Sequence, residues 1–153
     1  LQSAWRTQAA VKGLRLDVHA VPSVVRSDRR LLGSILGNLV GNAIKYTKSG
    51  SISVACRIKS DATIEISVTD TGIGMTREDR DTIFAPFKQV DAKSDGLGLG
   101  LSLVKKAADY LNYRVSVSSS VGIGSRFSFV IAADPPPAAS SATSVADDLQ
   151  QRA

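Results

Sequence analysis

The stretch Asp28-Arg29-Arg30-Leu31-Leu32-Gly33-Ser34-Ile35-Leu36-Gly37-Asn38-Leu39-Val40-Gly41-Asn42-Ala43-Ile44-Lys45-Tyr46-Thr47 repeats an apolar pair every four residues: Leu31/Leu32, Ile35/Leu36, Leu39/Val40 and Ala43/Ile44. That period gathers the apolar side chains into one stripe, so the stretch predicts a long amphipathic helix ending near Thr47, with Ser27 or Asp28 as its cap. Asn38, Asn42 and Lys45 stand at spacings of four and three and therefore share a face, opposite much of the stripe. The helix must bury one side, and it carries a polar cluster on the other.

Working outward, Trp5 to Lys12 reads as a short helix stopped by Gly13, and Leu14, Leu16 and Val18 then alternate with polar residues as in a half-buried strand. Val24 to Arg26 is expected to add a brief second strand. On the other side, Ile52, Val54, Cys56 and Ile58, then Ile64, Ile66 and Val68, predict a hairpin turning at Ser60-Asp61 and ending at Asp70. Thr76 can cap a short helix with Asp79, ending near Pro86. Lys88 to Asp95 reads as a loop, Leu99 to Leu111 as a helix, and Val115, Val117, Phe127, Phe129 and Ile131 as a last pair of strands around the Gly122–Gly124 turn. Helices interleaved with strands give an α/β fold, one sheet covered by helices on one face in a two-layer sandwich. After Ala133 the chain turns to Pro135-Pro136-Pro137 followed by Ala and Ser, so residues 1–133 are expected to be the domain and 134–153 a linker, stiff at first and then flexible.

The 153 residues, 43% hydrophobic and 22% charged, suit one ordinary globular domain. The first residue is Leu1, and the expectation is a piece of a longer protein. No apolar stretch approaches the roughly 18 residues that cross a bilayer, so a cytoplasmic segment without direct membrane contact is expected. The lone Cys56 can make no internal disulfide and is expected to pack inside. The net charge of +5 is spread through Lys12, Arg15, Arg26, Arg57, Lys59 and Arg80, with no dense basic block of the kind a nucleic acid requires. A phosphate-bearing small ligand suits that charge equally well.

Three clusters carry candidate chemistry. Asn38, Asn42 and Lys45 read either as a solvated helix face or as a magnesium-phosphate site, in which an amide oxygen fills one position around Mg²⁺ and the ammonium is a point charge for phosphate. Asp70-Thr71-Gly72-Ile73-Gly74 is an ordinary turn, or a carboxylate that accepts from the amino group of adenine beside glycines that let the backbone approach. Gly96-Leu97-Gly98-Leu99-Gly100 is a hinge, or a phosphate cradle running into a helix start. Neither a Gly-x-x-x-x-Gly-Lys-Ser/Thr loop nor dinucleotide-fold glycine spacing occurs.

Taken in order, Asn38 to Thr47, Asp70 to Met75, Phe84-Ala85-Pro86-Phe87 and Gly96 to Leu101 resemble the asparagine, first glycine, phenylalanine and second glycine boxes of histidine kinase catalytic domains. The resemblance runs from about Leu14 to Ala133 and implies the Bergerat-type fold of gyrase, Hsp90 and MutL, a mixed sheet under a helical layer, with ATP between the asparagine-box helix and a lid. It implies that Asn42 holds Mg²⁺, that Asn38 and Lys45 approach the phosphates, and that Tyr46 flanks adenine. It further implies that Asp70 receives the adenine amino group, that Gly72, Ile73 and Gly74 shape the base pocket, and that Gly96, Leu97, Gly98, Leu99 and Gly100 wrap the phosphates. Ser125 matches the hydroxyl residue that supports Asp70 through water. Phe84 and Phe87 resemble lid anchors, and core aromatics fit the same positions.

The resemblance implies transfer of the γ-phosphoryl of Mg-ATP to a histidine on a separate dimerisation domain, and onward relay to a response regulator or receiver domain. His19, the one histidine present, shares a strand face with Arg15 and Asp17 and reads as a surface residue. Related ATPases place a Glu, to activate water, where this chain has Asn38, and an amide cannot take the proton. A serine kinase of the same superfamily and a degenerate nucleotide-binding or interaction module are the remaining readings. Leu97 in place of the usual Ser or Thr, and a short lid from Lys88 to Asp95 without Arg, are what keep the degenerate reading open. Lys88 or Lys93 could replace a lid arginine, with less directional hydrogen bonds.

Overall fold

A computed structural model describes residues 2–60, 63–88 and 98–132. The elements run α1 (Gln2–Val11), β1 (Arg15–His19), α2 (Arg29–Tyr46), β2 (Ser51–Ser60), β3 (Thr63–Asp70), α3 (Arg77–Thr82), α4 (Gly100–Tyr110), β4 (Arg114–Ser120) and β5 (Gly124–Ala132). The strands form one sheet in the order β1-β2-β3-β5-β4, parallel between β1 and β2 and antiparallel elsewhere. It is a mixed sheet with a helical layer, as the motifs imply.

Helix α2 starts where Asp28 accepts hydrogen bonds from the backbone N–H groups of Arg30 and Leu31, which satisfies donors that a helix start leaves open. Its stripe of Ile35, Leu39, Val40, Ala43 and Ile44 is buried. Across from it lie Ile52 and Val54 of β2, Val68 of β3 and Phe127, Phe129 and Ile131 of β5, in one core with Val104 and Ala108 of α4. Period-two alternation directs every second residue of β3 into this core, so Asp70 falls on the same face as Ile64, Ile66 and Val68. A carboxylate therefore ends an apolar row.

Several local expectations change. Val24 to Arg26 forms no strand: Pro22 lacks a ladder donor, and Val24 stands 76% exposed. The far end of β2 runs past the helical layer, leaving Ile58 63% exposed and Cys56 half-buried where a packed interior was expected. Helix α3 stops at Thr82, short of Pro86, and turns continue to Phe87. The Ser60-Asp61 turn and the 134–153 linker fall wholly or partly outside the described residues.

Candidate nucleotide site

Between α2, the end of β3, the turn that follows α3 at Ile83, and the start of α4 lies a cavity of about 310 Å³. Asn42, Lys45 and Tyr46 reach it from α2, Asp70, Ile73 and Gly74 from the end of β3, Gly98, Leu99 and Gly100 from the start of α4, and Ser125 from β5. The structure thus brings together residues drawn from all three candidate clusters.

Asp70 sits at one end. It is 8% exposed, and its Oδ1 accepts from the Gly72 backbone N–H at 2.8 Å. Burial pushes its carboxyl above the usual carboxylate range, and the N–H groups of Gly72 and Ser125 pull the other way. The loop beyond it depends on Gly74, whose φ of 66° is left-handed and whose missing side chain makes room for the Ser120 carbonyl. Gly122 N–H donates to the Ile73 carbonyl at 2.8 Å, so the β4–β5 turn holds this loop.

The first turn of α4 forms the other end. Among the described residues no side chain caps it, no acidic residue occupies its first turn, and Gly98 to Leu101 face the cavity. Open N–H groups at a helix start, with the positive end of the helix dipole, attract an anion. Lys45 and Lys88 add positive charge to the wall, Lys45 lying 5.3 Å from the Tyr46 ring centroid and Lys88 pairing with Asp79 at 3.2 Å. The Thr76 hydroxyl and then Lys88 hold the Asp79 carboxyl below its usual range. The apolar walls are Ala43, Met75, Ile83, Leu101 and Phe127.

Three expected site residues stand back from the wall. Asn38 donates its amide to the Ser34 carbonyl at 2.8 Å and turns its Oδ1 toward Gly100, where an added methyl would meet it at 2.9 Å. Gly72 lies behind Asp70, where a side chain would meet the Tyr46 carbonyl at 2.5 Å. Phe87 is 73% exposed with φ 62°, and its N–H donates to the Gly98 carbonyl at 3.1 Å. Phe84 is half-buried and meets Phe127 edge-on at 6.3 Å, which makes it a core aromatic. Gly96 and Leu97 lie outside the described residues, as does Lys93.

The apolar walls escaped the sequence reading, although the parity of β5 puts Phe127 on the inner face beside Ser125. Two other contributors left no local signal. Lys12, on the turn after α1, donates from Nζ to the Ile44 carbonyl at 2.6 Å and the Lys45 carbonyl at 3.2 Å. Thr47 Oγ1, fully buried beside Gly72, has no hydrogen-bond partner among the described residues.

Among the described residues no helix is long and apolar enough to cross a membrane, and no cluster of His, Cys, Asp and Glu suited to a metal occurs. Residues 27–135 match the family model described as histidine kinase-, DNA gyrase B-, and HSP90-like ATPase. The autoinducer 2 sensor kinase/phosphatase LuxQ of Vibrio cholerae is 42% identical over an alignment of 133 positions that covers 80% of this chain and 16% of LuxQ. Full-length ShkA, solved in complex with AMPPNP, superposes with a TM-score of 0.78 at 29% identity, over 88% of this chain and 29% of that one. The mycobacterial sensor histidine kinase MprB gives a TM-score of 0.78 at 22% identity, over 88% of this chain and 94% of its own, and shares the fold. The chain thus spans less than a fifth of LuxQ and nearly all of the solved MprB chain. The chain belongs to the family of histidine kinase-, DNA gyrase B- and HSP90-like ATPases, as an ATP-binding catalytic domain of the histidine kinase kind.

Proposed function

We propose that the cavity takes Mg-ATP with its base at Asp70 and its phosphates at the start of α4, and that the γ-phosphoryl passes to a histidine on a dimerisation domain of the parent protein. The observation that carries this reading is the polarity of one cavity: a buried acceptor at one end, a helix start without a side-chain cap among the described residues at the other, and Asn42 and Lys45 along the wall between. In the transfer a P–N bond forms at the imidazole, the bond from the γ-phosphorus to the bridging oxygen breaks, and ADP leaves. Such a reaction asks mainly for position and charge neutralisation. Lys45 and the α4 N–H groups supply charge, while Ile73, Met75, Ile83 and Phe127 exclude water from the base.

A magnesium ion fits the donor set in one way. It takes oxygen ligands and keeps several from water and phosphate, so a single protein amide suffices, and Asn42 is the amide on the cavity wall. When bound it would neutralise phosphate charge. Lys88, tethered to Asp79 at the edge of the cavity, is the cation placed to serve where a lid arginine is absent. Gly96 and Leu97 are proposed to complete the phosphate cradle.

Hydrolysis is the weaker reading, because Asn38 offers no general base and already spends its amide on Ser34. A cytoplasmic parent with a response regulator or receiver domain as the final acceptor fits the histidine kinase reading. The test is a titration with a fluorescent ATP analogue, with and without Mg²⁺, for the wild type and Asn42→Asp. Tight binding that needs Mg²⁺ and weakens in the variant supports the site; metal-independent binding indifferent to the substitution overturns it. Adding a helical phosphoacceptor domain and radiolabelled ATP then separates kinase from ATPase, by label on histidine or free phosphate alone.

A further inference from the structure

Asp70, Ser125 and Ser119 end the inward-facing rows of β3, β5 and β4, and they pair side by side, Asp70 with Ser125 and Ser125 with Ser119. Ser119 is 9% exposed and does not reach the cavity, whereas Ser125 lines it. The Ser119 hydroxyl contacts two oxygens: the Gly124 carbonyl at 2.9 Å and the Ser125 hydroxyl at 3.0 Å.

A serine hydroxyl has one hydrogen to give. The Gly124 carbonyl can only accept, so it takes the hydrogen of Ser119. Ser119 must then accept at its other contact, and Ser125 must donate there. With its hydrogen committed to Ser119, Ser125 has only lone pairs left for the cavity. The neighbouring N–H groups of Gly72 and Ser125 are engaged with Asp70, whose carboxylate also only accepts. Among the described residues that line this end of the cavity, the Asp70 and Ser125 side chains therefore both present acceptors.

We infer that Ser119 is a positioning residue for base choice: by fixing the Ser125 hydroxyl as an acceptor, it makes the site select a base carrying an amino group over one carrying a carbonyl. The inference rests on the nucleotide reading of the cavity. Adenine brings the hydrogens of its 6-amino group to this acceptor pair, directly or through one water. Guanine brings a 6-carbonyl, which would face lone pairs on both sides. Sites built on buried hydrogen-bonding groups reject a mismatched ligand strongly, because the group left unpaired stays buried.

The experiment measures dissociation constants of ATP and GTP by competition against a fluorescent ATP analogue, for the wild type, Ser119→Ala, Ser119→Thr, Ser125→Ala and the double Ala variant, with thermal unfolding of each. In Ser119→Ala the Ser125 hydrogen is free to turn toward the cavity and donate to a carbonyl. The ATP-over-GTP preference is expected to fall by about tenfold, with GTP binding as well as or better than before. Ser119→Thr, which keeps the hydroxyl, should hold the preference. In the Ser125→Ala background the Ser119 substitution should change nothing further, as expected of two residues acting through one contact. Equal weakening of both nucleotides in Ser119→Ala, or an unchanged preference, overturns the inference. So does a Ser119 effect that persists without Ser125. A wild type that binds neither nucleotide would instead sink the ATP reading itself.

Discussion

Lys12 Nζ donates to the Ile44 carbonyl at 2.6 Å, across 32 positions of sequence, at the end of the helix that carries the polar cluster. The last carbonyls of a helix have no partner within it and carry the negative end of its dipole, so a cation there is both donor and counter-charge. Lys45 and Tyr46 occupy the same last turn and face the cavity. The segment before β1 thereby helps to hold the site.

Replacing Lys12 with Met keeps the stem and removes the donor. The expected loss is about 1 kcal/mol of unfolding free energy, measured by urea denaturation, with weaker binding of the fluorescent nucleotide. Unaltered midpoint and affinity would show the cap to be idle.

Two glycines separate stability from binding. At Gly74 an alanine would need φ 66° and would press on the Ser120 backbone carbonyl, which cannot move aside, so a loss on the order of 2–4 kcal/mol is expected. At Gly100 the methyl meets the amide tip of Asn38 closely, at 2.9 Å, and that of Asn42 at an ordinary 3.9 Å, while alanine favours a helix by up to about 1 kcal/mol. Gly100→Ala should therefore stay within about 1 kcal/mol of the wild type in stability yet bind nucleotide several-fold more weakly, because the methyl sits in the cavity wall. Urea titrations beside binding curves decide both.

Asp70 sets a pH dependence of stability. Its carboxyl is raised in the folded state by burial, so between the unfolded and folded pKa the native protein holds more protons than the unfolded chain. Stability in that window rises as pH falls, and the cost of the buried charge is fully present above the folded pKa. Relative to Asp70→Asn, which titrates nothing there, the nucleotide-free wild type should gain stability as pH drops through the raised value. A difference that is flat, or of opposite slope, would refute this.

Thr47 offers the reverse case. Its hydroxyl is fully buried without a partner among the described residues, and a buried unpaired polar group is costly. Thr47→Val keeps the shape and removes the hydroxyl, so it should raise unfolding free energy by about 1 kcal/mol. A fall of that size would mean the hydroxyl is satisfied by water and used.

Much of the architecture could be read residue by residue. The Leu31 to Ile44 stripe predicted α2, Asp28 proved to be its cap, and Thr76 caps α3 through the Asp79 N–H. Readings failed where position in the sheet outweighed local pattern: Val24 lacks a partner strand, and Ile58 alternates correctly but lies beyond the helices. At the site, Asn42, Lys45 and Asp70 were marked by residue type and spacing, and Ser125 by the family resemblance alone. The walls of Met75, Ile83 and Phe127 were not, because an apolar residue beside a ligand has the same sequence pattern as one in the core.

The amino-acid order alone determined which faces of α2 and of the strands turn inward, where the caps fall and which motifs follow one another, since all of these depend on spacings of two to four residues. The tertiary structure decided that β5 lies between β3 and β4, and so that Asp70 meets Ser125 and Ser125 meets Ser119. It also decided that Lys12 reaches the end of α2. Those contacts join residues far apart along the chain, and their selection rests on burying every apolar face at once, which no local period encodes.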